Sequence, residues 1–159
     1  MSLAGSRWTD MDMKPKIEEW QKAYFAGLID GEGCLSITKC KGQLTIVIGI
    51  SMTTPQPLYD LRRYFGGSLI KVRRGNGTEN WKPIYMWRVY SRKAEMVLEA
   101  IEPYLTVKEE QARVLREFRD HQKENIRSRG MSKKDDSHII AFRECMKQKI
   151  HFLNRRGTG

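Results

Sequence analysis

Three small residues four positions apart, Ala23, Gly27 and Gly31, constrain this chain more than any other feature. Residues four apart stack on one face of an α-helix, so the three form a shallow stripe along which another backbone can approach closely. Glu32 follows at once between Gly31 and Gly33. Two glycines that close together are expected to break helical order and leave an acidic side chain at the helix end. Trp20, Phe25, Leu28 and Ile29 supply apolar positions at helical spacing and predict a helix over 15–31.

The segment after that helix alternates. In 34–40, Leu35 and Ile37 are apolar while Ser36, Thr38 and Cys40 point the other way. Lys41-Gly42 predicts a tight turn, and 43–51 alternates again, with Leu44, Ile46, Ile48 and Ile50 opposite Thr45, Val47, Gly49 and Ser51. This is a hairpin with one buried and one wet face. Thr54-Pro55 opens a second helix with Leu58, Leu61, Tyr64 and Phe65 on its apolar side, closed by Gly66-Gly67. A third strand is expected over 68–73, Ile70 and Val72 inward and Lys71 and Arg73 outward; a fourth turns Tyr85, Trp87 and Val89 inward. Ser91 is placed as the cap of a helix over 92–101. Helices continue over 107–124 and 137–153, separated by a charged linker at 127–136. The expected organisation is a lead-in at 1–13, a core domain over 14–126, and a C-terminal helix and basic tail at 127–159 packed on the same domain.

A chain of 159 residues is about one domain and can bury a core without disulfides or metals. It carries 29 Lys and Arg against 19 Asp and Glu, net +10, which suits a polyanion: nucleic acid first, an anionic membrane surface second. The charge is concentrated. Residues 34–92 hold ten basic residues against Asp60 and Glu79, or +8 of the total, in the segment that reads as strands rather than as an amphipathic helix. Cys34, Cys40 and Cys145 show no metal-binding spacing and fit a reducing, intracellular compartment; no signal-peptide stretch or membrane-length apolar run is read from the sequence.

The string Phe25-Ala26-Gly27-Leu28-Ile29-Asp30-Gly31-Glu32-Gly33 resembles the signature of the LAGLIDADG homing endonucleases. The order of elements, αββαββα, also resembles that family's α+β core, in which the two hairpins form a curved antiparallel sheet along DNA, with added C-terminal helices in this chain. The resemblance implies a metal-dependent endonuclease that cuts both strands of a long double-stranded site, with homing of an intron or similar element as its biological role. The motif occurs once in this chain. One carboxylate cannot organise a metal site alone, so the reading is a homodimer cutting a near-palindromic site. Its interface falls on Ala23, Ala26, Gly27 and Asp30.

Phosphodiester hydrolysis needs an activated water and neutralised phosphate charge, which Mg²⁺ (or Mn²⁺ or Ca²⁺) held by oxygen ligands supplies. Glu32 is the first candidate. By resemblance it is the metal ligand, together with the carbonyl of Gly31. The bland alternative is that the glycines only help a helix turn into a strand, with Glu32 solvated. Asp30, near a helix C-terminus where a negative charge is unfavourable, wants a partner. Lys108, in Pro103–Ala112, resembles a lysine near the family's cleavage centre; otherwise it is a first-turn surface residue. Relatives often place solvent-ordering polar residues where this chain has Met52 and Gln56. Methionine cannot order water by hydrogen bonds. Either the correspondence slips near Ser51–Thr54, or the water is ordered differently, or cleavage is weak or lost, as in family members that bind DNA or assist RNA splicing without cutting. His121, His138 and His151 lie in late helices and are not expected to catalyse.

For base reading in the major groove the sequence nominates Ser36, Thr38, Cys40, Gln43, Thr45, Val47, Lys71, Arg73, Tyr85 and Arg88, with Arg73 and Arg88 as guanine readers. Lys133, Lys134, Arg155 and Arg156 read as phosphate contacts or as a solvated charge run.

Overall fold

The computed structural model describes residues 15–72, 81–125 and 136–156. Its order is α1 (Glu19–Glu32), β1 (Gly33–Cys40), β2 (Gln43–Met52), α2 (Gln56–Phe65), β3 (Ser68–Val72), β4 (Ile84–Tyr90), α3 (Ser91–Ile101), a 3₁₀ turn (Glu102–Tyr104), α4 (Glu109–Glu124) and α5 (Ser137–Arg156). The chain is α+β, with one antiparallel four-stranded sheet in the order β1-β2-β4-β3.

The period-2 pattern of β1 and β2 decides which side of the sheet is filled. Leu35, Ile37, Ile46, Ile48, Ile50, Trp87 and Val89 are buried on one face, where the helices pack. Lys41 and Gly42 both have positive φ (49° and 83°), the primed-turn conformation that lets a two-residue loop join twisted strands. α1 turns Phe25, Ala26 and Ile29 inward, and Phe25 meets Tyr64 and Phe65 edge-on at 5.8 and 5.9 Å between ring centres. The Gln21 side-chain amide donates to the Tyr64 hydroxyl at 2.6 Å, tying α1 to α2. α5 packs on α4 and along β1, and its Asn154 amide donates to the carbonyl of Leu35 at 2.9 Å. An edge strand leaves such carbonyls unpaired, so this bond fastens the last helix to the sheet. No helix among the described residues is long and apolar enough to cross a membrane.

Several expectations need correction. α1 starts at Glu19, not 15, and Gly31 does not stop it: the helix runs through Glu32 and ends at Gly33, which is already extended (φ −83°, ψ 159°). Ile70 and Val72 do not face inward. Leu69 pairs with Trp87 in the core, which turns Ile70 and Val72 to the open face, 51% and 36% exposed. Ser91 does not cap α3; Tyr90 occupies the cap position and Ser91 is the first helical residue, at φ 51°. Ala26 is fully buried in its own subunit's core and cannot face a partner.

Candidate active site and nucleic-acid interface

The site is built where α1 passes into β1 without a loop. A side chain at Gly33 would put its Cβ 2.6 Å from the carbonyl oxygen of Ile29, closer than real atoms come, so only glycine lets the strand leave the helix at this point. Glu32 is therefore the last residue of α1, and its side chain is exposed at the edge of the sheet.

Asp30 fixes what stands beside it. Its carboxylate accepts the Thr106 amide at 2.8 Å, the Thr106 hydroxyl at 3.1 Å and the Lys108 amide at 2.9 Å. Burial by itself would raise the Asp30 pKa. The amides of Thr106, Lys108 and Val107 and the Thr106 hydroxyl outweigh it and hold the carboxyl below its ordinary value. The acid that looks unfavourable at a helix C-terminus thus serves the backbone of the loop that leads into α4. In return, the Lys108 ammonium donates to the backbone carbonyl of Asp30. This puts a half-buried cation at the negative end of the α1 dipole, two residues ahead of Glu32.

Gln56 is exposed as the first residue of α2. Met52 is turned to the helix side, opposite Tyr85, and packs against the core. Ser51 is the β2 residue on the open face. It comes after Ile50, whose partner is Gly33, and so stands beside the point where Glu32 ends α1. Ser51 is not among the residues the sequence nominates; the strict alternation of β2 is the signal that could find it. Among the described residues no three of His, Cys, Asp and Glu are grouped to hold a metal ion, so one copy of Glu32 is not a cage.

The open face of the sheet carries Ser36, Thr38, Cys40, Gln43, Thr45 and Val47, all paired across β1 and β2, and the exposed Arg88 of β4, which lies across Gly49. The Arg88 Cγ is 3.2 Å from where a Gly49 Cβ would stand. Lys71 and Tyr85 are not on this face. They pair with each other on the helix side, with the Lys71 ammonium 5.8 Å from the Tyr85 ring centre. Arg155 is exposed in the last turn of α5, one residue beyond the Asn154 anchor on β1. Arg73, Lys133 and Lys134 lie outside the described residues, as does the side chain of Arg156. His121 stacks on Phe142 at 4.1 Å, and burial pushes its pKa down. It is a neutral packing group between α4 and α5, away from Glu32.

Among the described residues nothing covers the outer side of α1: a Cβ at Gly27 or at Gly31 would meet none of them within 4 Å. Ala23, Gly27 and Gly31 are exposed in one stripe with Trp20 (69%) and Tyr24 (47%).

No protein-family model and no curated protein matches the sequence. Solved structures do match in shape. One is the homing endonuclease I-CvuI in complex with its target in the presence of calcium: TM-score 0.62, 20% identity, 85% of this chain and 82% of that one covered. A second structure of I-CvuI, with the I-CreI target in the presence of magnesium and its DNA not cleaved, aligns with the same score and coverage. The archaeal intron-encoded homing endonuclease I-Vdi141I, complexed with DNA, aligns at TM-score 0.53 and 18% identity over 82% of this chain and 98% of that one. The LAGLIDADG enzyme I-GzeII, in complex with its DNA target, aligns at 0.59 and 16% identity over 83% of this chain but only 44% of its own. The protein has the fold of the LAGLIDADG homing endonucleases.

Proposed function

We propose that the protein is a homodimeric homing endonuclease that cuts both strands of a long, near-palindromic DNA site by metal-dependent hydrolysis. The observation that carries this reading is the place of Glu32: exposed, at the end of a helix whose outer stripe no described residue covers, and at the edge of a sheet whose free face is mostly polar along β1 and β2 and carries Arg88. Two copies joined along Ala23, Gly27 and Gly31 bring two Glu32 carboxylates together over the duplex. The fit to a hard divalent cation is chemical: the donors are carboxylate and carbonyl oxygens. Glu32 and the Gly31 carbonyl of each copy would hold the ion, which when bound supplies charge neutralisation at the phosphate and acidifies water.

The remaining work falls to the chain's own residues. Lys108 stabilises developing phosphate charge from beside the α1 terminus. Ser51 and Gln56 orient solvent on the open side. The sheet lies in successive major grooves with Ser36, Thr38, Cys40, Gln43, Thr45, Val47 and Arg88 toward base edges, and Arg155 reaches phosphate. The structural neighbours, crystallised with DNA and in two cases with calcium or magnesium, support the reading. Three exposed free thiols, Cys34, Cys40 and Cys145, suit a reducing intracellular compartment, whether bacterial or organellar.

Met52 favours a second reading, a DNA or RNA binder that no longer cuts. The resemblance implies a solvent-ordering polar residue at this position, and in this chain core packing takes it up. Glu32→Gln separates the two. With a selected duplex and Mg²⁺, the wild type is expected to cut and the variant to bind without cutting. Wild-type binding with no nicking would establish the second reading instead.

A further inference from the structure

We infer that the apolar corner of the open sheet face, made by Ile70, Val72, Ile84 and Met86, reads thymine methyl groups and so selects A·T pairs in the part of the site nearest the cut. The inference rests on the DNA-binding reading above and goes beyond it to sequence preference. The pairings Ile70↔Met86 and Val72↔Ile84 set the four side chains side by side on the face opposite the helices. Ile70 and Val72 are the more exposed pair. By strand register, Arg88 is the one basic side chain among the described strand residues of that face, and the corner itself holds no charge.

An edge strand is ordinarily protected by charged side chains. β3 keeps its exposed lysine, Lys71, on the helix side and presents isoleucine and valine on the open face, in the segment 34–92 that carries +8 of net charge. A strongly basic surface with an uncharged apolar corner fits a polyanion that offers a local apolar group. In the major groove the one such group is the C5 methyl of thymine; cytosine offers an amino donor that these side chains cannot accept. Register fixes the place in the site. Met86 pairs with Ser51, the residue after the Gly33 partner Ile50, so the corner lies at the Glu32 end of the sheet. Three strand spacings, roughly 14 Å, separate Ile70 from the β1 edge.

The test uses the full chain and a randomised duplex pool. Enriched duplexes are expected to carry A·T pairs flanking the cut. Replacing those thymines by deoxyuracil, which pairs identically but lacks the methyl, should weaken wild-type binding about fourfold per methyl. Deoxyuracil at the outer ends of the site should weaken binding less than it does beside the cut. Ile70→Thr keeps a β-branched strand former at an exposed position but replaces its apolar ethyl arm by a hydroxyl, and should reduce the sensitivity while still binding DNA. Enriched duplexes indifferent to deoxyuracil, or undiminished sensitivity in Ile70→Thr, overturn the inference and leave DNA binding standing. A pool with no enriched duplex overturns both. A change of oligomeric state in Ile70→Thr, read by sedimentation, would assign the corner to a second copy of the chain and overturn it also.

Discussion

Lys108 and Asp30 clasp each other twice. The Lys108 amide donates to the Asp30 carboxylate at 2.9 Å, and the Lys108 ammonium donates to the Asp30 main-chain carbonyl. The side chain of each residue thus satisfies the backbone of the other, and the loop at 106–108 is held to the end of α1 beside Glu32. Lysine at 108 neutralises the helix terminus, worth about 0.3–1 kcal/mol, and under the proposed function it also offers a cation to the phosphate. Lys108→Met separates them. Under the proposed activity, single-turnover cleavage is expected to fall about a hundredfold while duplex affinity stays close to wild type. A variant that loses only thermal stability would make Lys108 a helix clamp and nothing more.

Asp30 predicts an acid limit. A carboxyl held below its ordinary value of 3.8 contributes stability that is complete above that value and lost as pH falls through the folded pKa. Glu95 adds to the same limb. Burial would raise its pKa, but Lys123 and Arg119 outweigh burial and hold it below its ordinary 4.5, linking α3 to α4. The melting temperature is therefore expected to be flat near neutrality and to drop below about pH 4.5. Asp30→Asn keeps the shape but takes the charged acceptor from both amides at 106 and 108 and leaves one of them facing an NH2 group. It should cost about 1 kcal/mol at neutral pH and flatten part of the acid limb, measured by thermal unfolding across pH.

How far the sequence can be read depends on how strongly packing enforces its pattern. β1 and β2 have helices on one side along most of their length, so a one-residue slip would bury polar groups, and alternation predicts their facing correctly. β3 has five residues and lies at an edge, where little enforces the rule that apolar side chains point inward. Its phase is set by Gly66 and Gly67, both at positive φ. Gly67 lies so close to β4 that a Cβ would stand 2.6 Å from the Arg88 carbonyl oxygen. Nothing in the string Ser68–Val72 announces that. Lys71 fails as a base reader for the same reason, whereas Tyr85 fails because the inward facing that alternation gives β4 holds against its nomination. Ala26 is misplaced because it lies one residue before Gly27, about 100° around a helix, and composition does not say which of two small residues faces out. The place of Glu32, by contrast, is legible from its neighbours: a helical pattern on one side, an alternating one on the other, and a glycine between them.

Ser91 carries backbone strain. It sits at φ 51° as β4 passes directly into α3, a conformation that costs a residue with a Cβ about 1–2 kcal/mol. Elsewhere in a helix alanine is more stable than glycine by about 1 kcal/mol. At this junction the order should reverse: Ser91→Gly is expected to melt higher than Ser91→Ala, measured by thermal or urea unfolding. Equal or opposite order would mean that the junction relaxes at no cost.

Gly27 separates the needs of the folded subunit from those of the assembly. Among the described residues nothing lies within 4 Å of a Cβ built there, so none of them demands glycine at this position. By helix propensity alone, Gly27→Ala should stabilise the subunit by about 1 kcal/mol, and a leucine should be tolerated on the exposed stripe. Close helix contact between two copies makes the opposite demand, because a leucine there holds the backbones apart. The proposal therefore requires that Gly27→Leu give a folded monomer, with wild-type circular dichroism but half the sedimenting mass, that no longer cuts duplex DNA. If Gly27→Leu sediments and cuts as the wild type does, the two Glu32 side chains are not brought together along this stripe, and the paired-carboxylate mechanism fails with it.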